Sequence, residues 1–144
     1  MDFGLILPSY RKGASVEGID AASDAAERLG WHSVFTTDHL LVEPSARSED
    51  YYEIFDAVVT LAHIAARTRR IKVGASVIVV PMRNALVLAK ELATIDVLSG
   101  GRVEWGMGAG WFPPDWRTRR AGRVDRIAAK SRPTQSPAGF RRRR

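Results

Sequence analysis

Apolar positions along the chain fall into two alternating patterns: short continuous runs and a three-to-four-residue repeat. Phe3–Leu7 is an apolar run closed by Pro8, the pattern of a buried strand. Ser15 then stands as an N-cap, with Glu17 in the first turn where the helix dipole favours a carboxylate. Val16, Ile19, Ala22, Ala26 and Leu29 follow at helical spacing, and Gly30 takes the position just past the helix end. Ser33–Thr36 is a second strand, running into Thr37-Asp38-His39, and a polar insertion covers Glu43 to Tyr52. Phe55, Val58, Val59, Ala62 and Ala66 mark a second helix that ends in the basic turn Arg67 to Arg70. The third strand, Ile71–Val80, is the most apolar and lacks clean alternation, so both of its faces are expected to be covered. Asn84 caps a third helix carrying Leu88, Leu92 and Ile95 on one face, and Arg102–Met107 forms a fourth strand. The order βαβαβαβ with short connections demands parallel strands and right-handed crossovers. Two architectures meet it: a doubly wound sheet, or the first half of an eight-stranded (β/α) barrel.

Composition divides the chain in two. Residues 1–114 hold 11 Lys and Arg against 14 Asp and Glu, a net charge of −3. Residues 115–144 hold 11 Lys and Arg against two Asp, a net charge of +9, with almost no apolar periodicity. The first segment reads as one domain. The second cannot bury enough surface to offset its ordering entropy and is expected to be a disordered basic tail. Cysteine is absent, which excludes disulfides, thiol catalysis and Cys-ligated metal. No run approaches the roughly 20 apolar residues of a membrane span. The N-terminus opens on a strand rather than a secretory signal, so the expected compartment is the cytoplasm.

Candidate chemistry gathers where strands end. Asp38-His39 follows the second strand, at the carboxyl end where parallel α/β folds place their sites. His39 suits proton transfer near neutral pH, and Asp38 can hold a ligand or orient a ring. The competing view is a solvated loop. His32 precedes its strand and His63 sits on a helix face, and the three histidines have no metal-ligand spacing, so no metal site is expected. Gly106-x-Gly108-x-Gly110 is not a dinucleotide fingerprint, because position 111 is Trp and the run follows the fourth strand. It does leave no Cβ on alternate residues, which lets a backbone or a flat ligand approach.

Three segments together carry a resemblance. They are Gly30-Trp31-x-Ser33-Val34-Phe35-x-Thr37-Asp38-His39-Leu40, then Ala66-x-Thr68-x-Arg70-Ile71-x-Val73-Gly74-x-Ser76-Val77, then Leu98-Ser99-Gly100-Gly101-Arg102-Val103-x-x-Gly106-x-Gly108-x-Gly110-Trp111. In order and spacing, from Met1 to about Pro114, the chain resembles the luciferase-like monooxygenase superfamily, with most likeness to its coenzyme F420-dependent oxidoreductases. The resemblance implies a TIM-type (β/α) barrel, of which this chain holds the N-terminal half. It implies His39 as the proton-transfer residue and Asp38 as a cofactor contact. It places Ser76 and Val77 at a bulge where a non-proline cis peptide backs the ring, and Gly108, Ala109 and Gly110 on a loop lining the cofactor. Sugar-phosphate dehydrogenases of the family carry a glutamate where this chain has Trp111, which argues against that substrate.

The functional expectation is hydride transfer between F420 and a small organic substrate, with this half barrel inactive alone. An FMN-dependent monooxygenase using molecular oxygen is the alternative within the enzyme class. A frameshifted remnant and a basic-tailed nucleic-acid binder are the alternatives outside it. The last rests only on the tail, which gives salt-sensitive, sequence-independent affinity. No specific nucleic acid and no membrane are expected as partners, whereas self-association through open barrel edges is.

Overall fold

A computed structural model describes residues 1–11, 13–40 and 54–110. Its elements are β1 (Gly4–Ile6), α1 (Val16–Leu29), β2 (Ser33–Thr36), α2 (Ala57–Arg67), β3 (Lys72–Val79), α3 (Ala85–Ser99) and β4 (Val103–Gly108), with a 3-10 turn at Val80–Met82. The four strands form one sheet in the order β1-β2-β3-β4, and each adjacent pair is parallel. The basic tail and the polar insertion lie outside the described residues.

The helix ends follow the side-chain chemistry that marks them in the sequence. Ser15 Oγ accepts from the Gly18 N–H at 2.9 Å, and Gly30 closes α1 in the left-handed region at φ 73°. Asn84 Oδ1 accepts from the Leu86 and Val87 amides at the start of α3. Asp56 caps α2 by accepting from Val59 N–H at 3.0 Å.

The core lies between the helices and one face of the sheet, where Val34, Val73, Ala75 and Ile78 meet Leu61, Ile64, Leu88 and Leu92. Two expectations are corrected here. The buried side of α2 is Ala57, Val58, Thr60, Leu61, Ile64 and Ala65, whereas Val59 is 70% exposed and Ala62 and Ala66 are also exposed. Alanine and valine occur on both sides of α2, so apolar spacing did not single out its core face. β3 is not covered on both faces either, because Ser76 and Val77 are exposed. In a closed barrel the inner face is filled by side chains from all its strands. Here four strands supply it.

The ends of the strands nearest their N-termini are stitched by two polar residues with no obvious signature. Glu27, in the last turn of α1, accepts the backbone amides of Arg69, Arg70 and Ile71. Burial works against its charge, but these three bonds and Arg70 prevail and lower its pKa. Arg102 is buried and donates to Ser99 O at the end of α3, to Ala65 O, Thr68 O and Thr68 Oγ1 at the end of α2, and to Ile71 O before β3. Burial lowers its pKa. Expected as the first residue of the last strand, Arg102 instead caps the helix behind it.

Candidate functional site

The carboxyl ends of β2, β3 and β4 form one rim. Asp38, two residues beyond β2, reaches across to β3, where its Oδ2 accepts the Val79 N–H at 2.9 Å. Val79 in turn pairs with Gly108 of β4. Asp38 and Ala109 thus lie just past the ends of β2 and β4, whereas Ser76 lies within β3, three residues before its end. His39 follows directly, half-buried.

The register of β3 against β4 slips between Ala75 and Ile78. This is a bulge at Ser76–Val77, and it turns both residues out of the core. Ser76 Oγ donates to Thr36 O at 3.4 Å, tying the bulge to β2. Gly106 and Gly108 make the bulge possible. A Cβ on Gly106 would lie 2.3 Å from Ser76 O, and one on Gly108 would lie 2.6 Å from Val77 Cγ1. On the same open face the Phe35 ring lies over Gly4 and Gly74, each of which would bring a Cβ within 3 Å of it. The glycines thus admit Phe35, Ser76 and Val77 at close range beside the rim. Gly110 follows Ala109 with φ 80°.

One expectation is corrected. The resemblance implies a cis peptide at the bulge, but every peptide bond among the described residues is trans. A non-proline cis bond costs about 3–4 kcal/mol, and here the register slip is absorbed without it.

The structure also shows what holds Asp38. Its side chain is fully buried, and Arg83 grips it from the turn after β3, with Nη2 to Oδ1 at 2.6 Å and Nε to Oδ2 at 3.2 Å. The same Nη2 donates to Asp56 Oδ2 at 2.8 Å. Burial opposes the charge on Arg83, but the bonds to Asp38 and Asp56 outweigh it and raise its pKa. Both carboxylate oxygens of Asp38 are thus engaged by protein groups. Sequence reasoning missed Arg83 and Asp56. The available signal was a lone arginine directly before the Asn84 cap, in a segment otherwise apolar.

His32 lies 3.6 Å from Glu104, and His63 lies 2.6 Å from Asp20, which also pairs with Arg67. Both histidines face surface carboxylates away from the rim. A groove of about 500 Å³ opens beside the end of β4, lined by Val80, Pro81, Ala85, Met107, Gly108 and Ala109. A larger one of about 670 Å³ lies at the opposite end of the strands, around Phe3, Glu27, His32 and Arg70, far from Asp38. Ligands of parallel α/β folds bind at the carboxyl ends of strands, which favours the smaller groove.

A ligand with a polar edge fits the strand exits. Ser9 Oγ and Thr37 Oγ1, just past β1 and β2, are buried with no hydrogen-bond partner among the described residues. Such unspent hydroxyls are uncommon in a finished interior.

A parallel sheet in sequential strand order, backed by helices on one face, is the arrangement of a β/α-barrel protein. The chain belongs to the luciferase-like monooxygenase family, whose pattern matches residues 1–132 and so runs past the compositional break at 114. It is 37% identical over 86 residues to an F420-dependent glucose-6-phosphate dehydrogenase of Amycolatopsis mediterranei, covering 59% of this chain and 25% of that one. The coenzyme F420-dependent tetrahydromethanopterin reductase of Methanopyrus kandleri superposes with a TM-score of 0.60 at 28% identity, over 76% of this chain and 27% of that one. The oxygenating constituent of 3,6-diketocamphane monooxygenase of Pseudomonas putida, in complex with FMN, shares the fold with a TM-score of 0.67 at 23% identity, over 82% of this chain and 32% of that one. The chain spans less than half the length of the curated relatives it matches, 30% of one from Bacillus subtilis. Among the described residues no helix is long and apolar enough to cross a membrane.

Proposed function

We propose that the chain forms the ring-binding part of an F420-dependent oxidoreductase acting on a small organic substrate. The observation that carries this reading is the Ser76–Val77 bulge, set against the β4 glycines and beside the Asp38-His39 exit. Likeness to the F420-dependent dehydrogenase favours F420 over FMN. Ser76 and Val77 would back the ring, and Gly108, Ala109 and Gly110 would line it. When bound, F420 supplies a two-electron centre that exchanges a hydride with a substrate carbon. His39 takes the proton released when the substrate is oxidised and returns it in the reductive direction. Asp38, with both oxygens bonded, fixes the peptide that presents His39.

The finer reading is that these 144 residues turn over no substrate alone. Orientation contributes about 7–11 kcal/mol to well-positioned reactions, and four strands supply half of a barrel's inner face. Cofactor affinity is expected no tighter than about millimolar, near −4 kcal/mol. Fluorescence titration with F420 and with FMN tests both points. Preference for FMN, with oxygen-dependent turnover, would replace the reading with a monooxygenase. Turnover by the 144 residues that survives His39→Ala would remove His39 from its role.

A further inference from the structure

We propose that Arg83 is a positioning residue, which sets His39 against the Ser76–Val77 bulge by holding Asp38 and Asp56 at once. The inference rests on the function proposed for this rim. Arg83 binds Asp38 from 45 positions away and Asp56 from 27, so one guanidinium joins three segments: the β2 exit, the start of α2 and the β3 exit. Each partner is itself fixed. Asp38 Oδ2 also accepts the Val79 N–H, on the strand just past the bulge, and Asp56 Oδ1 caps α2. The backbone of Asp38 runs directly into His39, so a side chain anchored at both oxygens restrains where that backbone places the residue.

The fork is essential to this geometry. Nε and Nη2 take Asp38 side-on while Nη2 also serves Asp56. A lysine restores the charge but offers one compact point donor in place of the planar pair. With the Arg83 side chain 11% exposed and Asp38 fully buried, water replaces these bonds poorly.

The test compares the 144-residue chain with Arg83→Met, Arg83→Lys and Asp56→Asn. Arg102→Lys is the control, since it weakens a buried arginine at the opposite end of the strands. All are studied at a temperature where each is folded. Two NMR readouts are followed, the His39 imidazole resonances and the exchange rate of the Val79 amide, together with shift changes on adding millimolar F420 or FMN. Expected for Arg83→Met is a displaced His39 signal, Val79 exchange at least tenfold faster and a several-fold weaker cofactor response. Arg83→Lys should recover melting temperature more than it recovers the His39 signal. Arg102→Lys should lower the melting temperature and leave His39 in place. An unmoved His39 signal in the Arg83 variants would overturn the proposal, as would an equal displacement in Arg102→Lys. If Arg83→Met does not fold, Asp56→Asn, whose Asn can still cap α2, carries the same comparison. A parent chain that responds to neither cofactor would count against the proposed function, and the His39 and Val79 readouts would still decide the role of Arg83.

Discussion

A carboxylate with no exposed surface is tolerable only while its charge is matched, and at Asp38 the match comes from Arg83 and the Val79 amide. Asp38→Asn keeps an acceptor for Val79 but leaves Arg83 buried with Asp56 alone. Breaking one side of such a pair costs about 3 kcal/mol, and urea unfolding should register a loss of that order. Glu27 gives the pH counterpart. Its folded pKa lies below the ordinary carboxylate value, about 4.3, so the unfolded chain takes up the proton first. Its contribution is complete above about pH 5 and is lost as the pH falls through the ordinary value toward the folded one. Glu27→Gln should therefore destabilise by about 1–2 kcal/mol at pH 7 and flatten the acid limb of a melting-temperature profile.

At the scale of elements, glycines serve two different needs. At Gly74 a Cβ would sit 1.9 Å from Glu104 O, so Gly74→Ala forces β3 and β4 apart at a cost of about 3 kcal/mol. Gly30 has open space around it and a positive φ, so Gly30→Ala costs only the left-handed penalty of about 1–2 kcal/mol. Chemical denaturation of the pair should separate the two. The same contrast explains what could be read from the sequence. Caps at Ser15, Asn84 and Gly30 act within a turn, so local spacing exposes them, and the β2 boundaries follow from a short β-rich run. The grip of Arg83 on Asp38 and of Glu27 on residues 69–71 joins positions more than 40 apart. No periodicity encodes such pairs. The positions of Asp38 and Ala109 just past strand ends were legible because strand ends are, whereas Ser76 falls inside β3. That Asp38 faces inward to an arginine was not, since the direction of a side chain beyond a strand depends on its partner.

For the whole molecule, the described sheet has β1 and β4 as its edges, and Ile6, Val77, Trp105 and Met107 are substantially exposed. Edges of this kind pair with other strands, and apolar surface beside them adds drive. Concentration-dependent self-association is therefore expected in sedimentation experiments on the 144-residue chain. Ile6→Lys, which places a charge at the β1 edge, should reduce it. Sedimentation as a monomer at all concentrations would remove this expectation.

The clasp of Glu27 on Arg69, Arg70 and Ile71 also bears on synthesis at the ribosome. A carboxylate made early is joined to amides made some 40 residues later, so the bond closes only once the start of β3 has left the exit channel. Chains begin to fold while they are being made, and this bond is expected to hold β3 to α1 before β4 is complete. A nascent chain stalled after β3 has emerged should resist protease, and the Glu27→Gln chain stalled at the same codon should be cut between α1 and β3.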